Sequence, residues 1–236
     1  MRTILDGKRT LSLKLSTRLK QIEQMVPSGY DHIWDCCCDH GYLGAALLSR
    51  QPATNVHFVD IVPDLMATVE KNLQRFYPDA KWKVYCQDVA KLPLNQYDGK
   101  HLVIIAGVGG DLMSELVEAI HQCHRDDNVD FLLCPVNNQY TLRQKLIEHN
   151  FGLMHEVLIE DNRRFYEIML VSSTLGENDS VNAVGSKIWQ PDSAKQAEIA
   201  TKYKNKTLNH YLRIQQGNAA NTNIQAIIDG YGAVAV

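Results

Sequence analysis

HLVIIA, residues 101–106, is an apolar run with no polar interruption, and a strand of that kind is covered on both faces. It is the fourth in a series. His32–Cys38, Val56–Asp60 and Trp82–Cys86 precede it as β-rich runs, and Phe131–Cys134 follows. Between them lie segments with apolar residues at helical spacing: Tyr42–Arg50, Pro63–Phe76 with proline at its first turn, Asp111–Cys123 and Tyr140–Asn150. Another helix is predicted from Ser16 to Val26, where Leu15, Leu19, Ile22 and Met25 recur until Pro27-Ser28-Gly29 stops it. Two strands, about Leu153–Ile159 and Phe165–Val171, close the series with no helix between them. This order predicts an α/β fold, a doubly wound and mostly parallel sheet with one antiparallel strand near its edge.

Residues 1–172 are therefore expected to form one domain. From 173 to 186 (STLGENDSVNAVGS) the apolar periodicity is lost, which reads as a linker. Residues 187–236 follow as a helical appendix, with helices over Ser193–Gln216 and Asn221–Tyr231, too small to hold a core alone. At 45% hydrophobic and 22% charged the chain has the material for a core. No apolar run approaches the roughly 18 residues of a membrane helix, and MRTILDGKRT has no signal-peptide core, so a cytoplasmic protein without a membrane partner is expected. Cys36, Cys37 and Cys38 on one strand would point to alternating faces and could not share a metal, so reduced, metal-free thiols are expected.

In such sheets, ligands bind beyond the carboxyl ends of the strands. The first run ends WDCCCDHGYLG, with Asp35, Asp39, His40 and Gly41. The second places Asp60 and Ile61 at its tip, the third leads to Asp88 and Val89, and the fourth ends IAGVGGD with Gly107, Gly109 and Gly110. Asp60 could accept both hydroxyls of a ribose, since one carboxylate presents two oxygens. Asp88 could accept from an adenine amino group while the Val89 amide meets a ring nitrogen. Asp35 and Asp39 could meet an ammonium group. The Gly-x-Gly-x-x-Gly run of dinucleotide folds is missing, and Asp39-His40 stands where a pyrophosphate would need close, uncharged backbone. Acids around an adenosine pocket suit a cationic ligand, and S-adenosylmethionine carries both a sulfonium and an ammonium. Each feature alone also has a structural reading: Asp60 as a solvated strand end, Asp88 as a turn cap, the glycines as a tight turn.

LSTRLKQIEQMVP, DCCCDHGYLG, VDIVP, IAGVGG, LLCPVNNQYTLRQKLIEHNF and EDNRRFYEIMLV together resemble the bacterial TrmK-like family over about residues 13–172. The resemblance implies a class I, Rossmann-like methyltransferase domain with a helical C-terminal appendix. It further implies transfer of a methyl group from S-adenosylmethionine to N1 of adenosine 22 of tRNA. By the same resemblance Asp35, Asp39, His40, Asp60, Asp88, Gly107, Gly109 and Gly110 surround the cofactor. Two positions depart from the family pattern: Cys37 replaces its usual first-motif glycine, and Cys134-Pro135-Val136 replaces its Gln-Pro-Asn, with Asn137 and Asn138 following.

N1 of adenine carries an in-plane lone pair and is neutral at pH 7, so direct attack needs neither a metal nor an obligatory base, only proximity and orientation. N1 lies on the pairing edge, so the base must be unstacked first. Asn137 is the expected orienting residue, with Asn138 and Pro135 beside it, Tyr140 or Tyr166 as stacking candidates, and His40 as an alternative catalytic group; each also has a structural reading, the asparagines as loop anchors, the tyrosines as core and His40 as a backbone hydrogen-bond partner. Residues 1–20 carry a net charge of +5 and residues 181–236 carry +3, leaving −11 on the remainder. This pattern suggests an anionic partner touching the ends, with Lys8, Arg9, Lys14, Arg18, Arg163, Arg164, Lys202 and Lys206 as phosphate contacts, or equally exposed helices and termini that simply collect lysine. The tail is expected to add RNA affinity but little to methyl transfer. Two other readings stay open: a methyltransferase acting on another RNA, a small molecule or a protein, and a non-catalytic RNA- or nucleoside-binding module.

Overall fold

The computed structural model describes residues 14–52, 54–125, 127, 129–217 and 222–236. The chain divides into two compact units, Met1–Ile104 and Ile105–Val236. The first holds α1 (Thr17–Met25), β1 (His32–Cys36), α2 (Tyr42–Arg50), β2 (Asn55–Asp60), α3 (Pro63–Phe76) and β3 (Trp82–Cys86). Short 3₁₀ turns follow at Val89–Lys91 and Leu94–Gln96, and the unit boundary falls within β4 (His101–Ala106). The second unit continues with α4 (Gly110–Cys123), β5 (Val129–Cys134), α5 (Gln139–Glu148), β6 (Gly152–Asp161), β7 (Arg164–Ser172) and β8 (Asp179–Ser180). It ends with a 3₁₀ turn at Lys187–Trp189, then α6 (Ala194–Gly217) and α7 (Thr222–Ala233). The eight strands run in the order β3-β2-β1-β4-β5-β7-β6-β8.

Local chemistry accounts for the boundaries. Ser16 caps α1 by accepting from the Leu19 amide at 3.2 Å, and Ile22 and Met25 bury one stripe. Pro63 opens α3, whose buried Met66, Val69 and Leu73 repeat at helical spacing. In the first unit β1, β2 and β3 pair in parallel, and every residue of β1 is buried. In the second, β7 runs antiparallel to both β5 and β6. The β6–β7 turn is two residues, Asn162 at φ 51° and Arg163 at φ 63°, the left-handed pair that matches strand twist in a tight hairpin.

Two expectations are corrected. The first strand does not run to Cys38: it stops at Cys36, because Cys37 takes φ 53° and leaves the extended region. The three cysteines therefore do not alternate along one strand. There is also a strand the sequence did not announce, since Asp179 and Ser180 pair with Leu153 and Gly152 of β6. It lies within 173–186, the stretch read as a linker, where Val181 and Val184 are also buried. Among the described residues no helix is long and apolar enough to cross a membrane.

The helical tail has a core. Val184, Ile188, Trp189, Ala200, Tyr203, Ile227 and Tyr231 pack with Leu158 of β6, and Trp189 stacks on Tyr203 with centroids 5.7 Å apart. Beneath them sits a buried ionic cluster. Arg143 of α5, fully buried, donates to Glu167 at 2.7 Å, to Glu156 at 2.6 Å and to the Asn182 carbonyl at 3.0 Å. Glu156 in turn accepts from the Ser186 and Lys187 amides at 2.6 and 2.7 Å, and the Tyr203 hydroxyl donates to Glu167 at 2.6 Å. Burial alone would raise the Glu156 carboxyl, but Arg143 and Ser186 hold it below its ordinary value.

Candidate functional site

In the first unit the chain leaves β1 through three left-handed residues, Cys37, Asp39 and Gly41, at φ 53°, 49° and 69°. Carboxylates close this turn. Asp60, at the tip of β2, accepts from the Asp39 amide through Oδ2 at 3.1 Å and from the Val62 amide through Oδ1 at 3.2 Å. It is half-buried, so it is aimed by the backbone and still reaches solvent. Asp35 accepts from the Gly44 amide at 2.8 Å, at the start of α2, where a carboxylate also meets the helix dipole. Burial pushes the Asp35 carboxyl up to about 7, the Gly44 amide pulls it back, and the Asp60 charge adds to the rise. Asp35 is 3% exposed, so of the two first-turn acids Asp39 is the one that faces water.

His40 is exposed, 3.6 Å from the Asp39 carboxylate, and lines a small hollow with Gly41, Tyr42, Asn72 and Tyr77. Ile61 is 68% exposed beside Asp60. Asp88 caps the following 3₁₀ turn by accepting from the Ala90 amide at 2.9 Å, which places the buried Val89 directly after an exposed carboxylate.

In the second unit, glycines and asparagines do the corresponding work. The Gly107 amide donates to the Cys134 carbonyl at 3.2 Å, Val136 to Val108 at 3.0 Å and Gly110 to Asn137 at 2.9 Å, which zips the turn after β4 to the loop after β5. A Cβ at Gly109 would stand 2.7 Å from the Asn137 side-chain Oδ1, so glycine is what allows the Asn137 amide this close. Asn138, left-handed at φ 53°, stands at the N-cap position of α5, and its side chain, instead of capping that helix, donates to Asp111 in the first turn of α4. Pro135 is buried, whereas Val136, Asn137 and Asn138 are exposed.

These asparagines line a cleft of about 400 Å³ whose other walls come from Phe165 and from α6. Tyr203, Lys206, Thr207, His210, Tyr211 and Arg213 of that helix all face it, and the helical period that brings them there was not recognised from sequence. The expected stackers Tyr140 and Tyr166 are not among its lining; Phe165, Tyr203, Tyr211 and Tyr231 are. Of the expected phosphate contacts, Lys206 reaches the cleft, its Nζ 5.3 Å from the Phe165 ring centroid. Lys202 points elsewhere, paired with Glu198 at 2.6 Å. Arg163 and Arg164 are exposed at the hairpin, Lys14 is exposed and Arg18 half-buried, while Lys8 and Arg9 lie outside the described residues. Arg143 was also missed: among buried groups it is the cation that anchors this unit.

A family model described as a methyltransferase domain matches residues 15–169. The tRNA (adenine(22)-N(1))-methyltransferase of Bacillus subtilis is 23% identical over 168 residues, covering 71% of this chain and 68% of that protein. Among solved structures, a protein of the NADB-Rossmann superfamily from Streptococcus agalactiae superposes with a TM-score of 0.74 at 19% identity, covering 97% of this chain and 99% of that one. TrmK of M. capricolum, solved with S-adenosyl-homocysteine, gives 0.69 at 18% identity over 92% of this chain and 96% of that one.

Proposed function

The chain belongs to the methyltransferase-domain family, and from that premise we propose that it is an S-adenosylmethionine-dependent tRNA methyltransferase acting on N1 of adenosine 22. The observation that carries the reading is the likeness to the Bacillus subtilis enzyme with that activity, spread over 71% of the chain rather than confined to a motif. The first-unit turn fits the cofactor. Asp60 is held by two backbone amides with a lone pair on each oxygen left for ribose hydroxyls, and Asp88 with the Val89 amide offers an acceptor and a donor to an adenine edge. Asp39 and Gly41 line the same turn, Ile61 offers an apolar surface beside Asp60, and exposed Asp39 supplies charge for an ammonium group. In the second unit, Gly107 takes the left-handed position of the turn after β4, while the space at Gly109 and Gly110 is taken by Asn137 and Asn138.

S-adenosylmethionine, when bound, supplies an electrophilic methyl group on a sulfonium. The chain's own task is to extrude and orient the base, because the N1 lone pair is available without proton removal. Asn137 and Asn138 present amides that can hold the exocyclic amino group, and Asn138 is itself held by Asp111. His40 is exposed at the other turn and is not required as a base.

Incubation with labelled S-adenosylmethionine and an unmodified tRNA transcript, followed by nucleoside mapping, tests the proposal. Label in 1-methyladenosine at position 22 is expected. Label at another nucleotide, or transfer only to a protein or small molecule, would overturn it.

A further inference from the structure

Helix α6 places Lys206, His210 and Arg213 at i, i+4 and i+7, a spacing that turns all three toward one side, and that side lines the cleft at Asn137. No carboxylate among the described residues is ion-paired with any of the three, although Lys202, one turn earlier, is paired with Glu198. Of the three, Lys206 and Arg213 carry a full charge, and two cations without a counter-ion on a concave surface suit an anionic ligand. The opposite character occupies the same walls: Phe165 and Tyr211 offer aromatic surface, and Tyr211 is already fixed by stacking on Tyr231 with planes 18° apart. A cleft of about 400 Å³ falls within the roughly 300–1,000 Å³ of small-ligand sites. An aromatic wall, an amide and a cationic rim together match the three parts of a nucleotide.

We propose that this cleft holds one extruded nucleotide of the RNA substrate, its base against Tyr211 and Asn137 and its flanking phosphates on Lys206 and Arg213. The inference rests on the tRNA-methyltransferase reading and deepens it. The tail then helps to hold the extruded nucleotide, whereas the sequence led us to expect RNA affinity from it but little part in methyl transfer.

The test uses the full chain, an unmodified tRNA transcript, binding isotherms at several salt concentrations and single-turnover methylation. Lys206→Glu and Arg213→Glu should each weaken tRNA binding by about tenfold and lower the salt slope by about one. Lys195→Glu, the same charge change on the same helix but outside the cleft, should do less and leave the slope in place. Tyr211→Ala should slow transfer at saturating tRNA about tenfold, with cofactor affinity unchanged, and Tyr211→Phe should restore it. Thermal unfolding of each variant separates these effects from misfolding. Equal effects of Lys195→Glu and Arg213→Glu, or wild-type binding and rates in the cleft variants, would overturn the cleft assignment while leaving the enzyme's activity standing. A wild-type chain that methylates no tRNA would instead remove the underlying reading, and this inference with it.

Discussion

The two units bury polar groups in opposite ways. In the first, the buried titratable groups include histidines and one carboxyl, Asp35, that burial pushes up to about 7. His32 Nδ1 and His57 Nε2 lie 3.0 Å apart, Trp34 donates to His101 at 3.1 Å and stacks on His57 at 3.9 Å, and Asp35 lies buried at the start of α2. In the second, the most deeply buried titratable groups include full charges, Arg143 against Glu156 and Glu167. Low dielectric penalises both, but the first unit meets the penalty by staying neutral and the second by pairing. The first should therefore respond to pH. The second should respond to loss of a partner.

The largest effect should come from breaking the pair. Arg143→Ala leaves two buried carboxylates without a cation and should destabilise the chain by about 3–5 kcal/mol. Denaturant unfolding measures this. Replacing Arg143 by Met together with Glu156→Gln and Glu167→Gln should cost less than Arg143→Ala alone, since no unpaired charge remains. A loss under about 1 kcal/mol for Arg143→Ala would show that the ionic cluster is dispensable and the contrast false.

Acid titration tests the other half. Burial, with His32, Lys83 and His101 adding to it, lowers His57 to about 3, and burial also lowers His32. An unfolded histidine binds its proton near 6.5, so as pH falls from 6.5 towards 3 the unfolded state gains protons and stability drops. Asp35 acts in the opposite sense: with its folded value raised to about 7, the folded state binds the extra proton between 3.8 and 7, and stability rises as pH falls. Over the shared window Asp35 offsets one histidine. Asp35→Asn should remove that offset and make the pH dependence between 3.8 and 6.5 steeper by roughly 3–4 kcal/mol in total, at about 1.4 kcal/mol per pH unit. Unfolding free energies of both proteins across that range provide the check, and parallel curves would mean that Asp35 is ionised in the fold.

A smaller effect concerns the ligand turn. Asp60→Ala should weaken S-adenosylmethionine binding by about 1.5–3 kcal/mol, the scale of hydrogen bonds to a charged group. Because Asp60 also holds the Asp39 and Val62 amides, Asp60→Asn is the better-folded comparison, and it should lose less. Unchanged calorimetric affinity in both variants would remove Asp60 from the site.

What could be read from the sequence follows from which forces are local. The burial of β4 on both faces shows in its uninterrupted apolar run, and Pro63 marks the start of α3 because its fixed φ suits a first helical turn. Acids at strand ends could be located because strand length is local. Whether they reach solvent could not: the type Asp at position 35 does not say that Gly44 will cover it. Arg143 reads as an ordinary helix-surface cation until β6 and β7 bring Glu156 and Glu167 to it from a distance in sequence. Likewise the cationic face of α6 has meaning only once the Asn137 loop stands opposite, and β8 is too short to show any pattern.

The smallest effect should come from the backbone of the two turns. After β4 the left-handed position belongs to Gly107, at φ 96°, which glycine adopts without penalty. After β1 it belongs to Cys37, at φ 53°, where an L side chain costs about 1–2 kcal/mol. Glycine at 37 would remove that cost but would also give the unfolded chain more freedom, a loss of about 0.5–1 kcal/mol. The half-buried thiol makes only part of its surface available to packing, so the difference should leave Cys37→Gly more stable by about 0.5–1 kcal/mol. Gly107→Ala, run in parallel, should lose about 1–2 kcal/mol, because there the side chain is added at positive φ. Opposite signs in the two turns, read from denaturant midpoints, are the expected result. A destabilised Cys37→Gly would mean that thiol packing outweighs backbone strain, and that the first turn holds its shape through side chains rather than in spite of one.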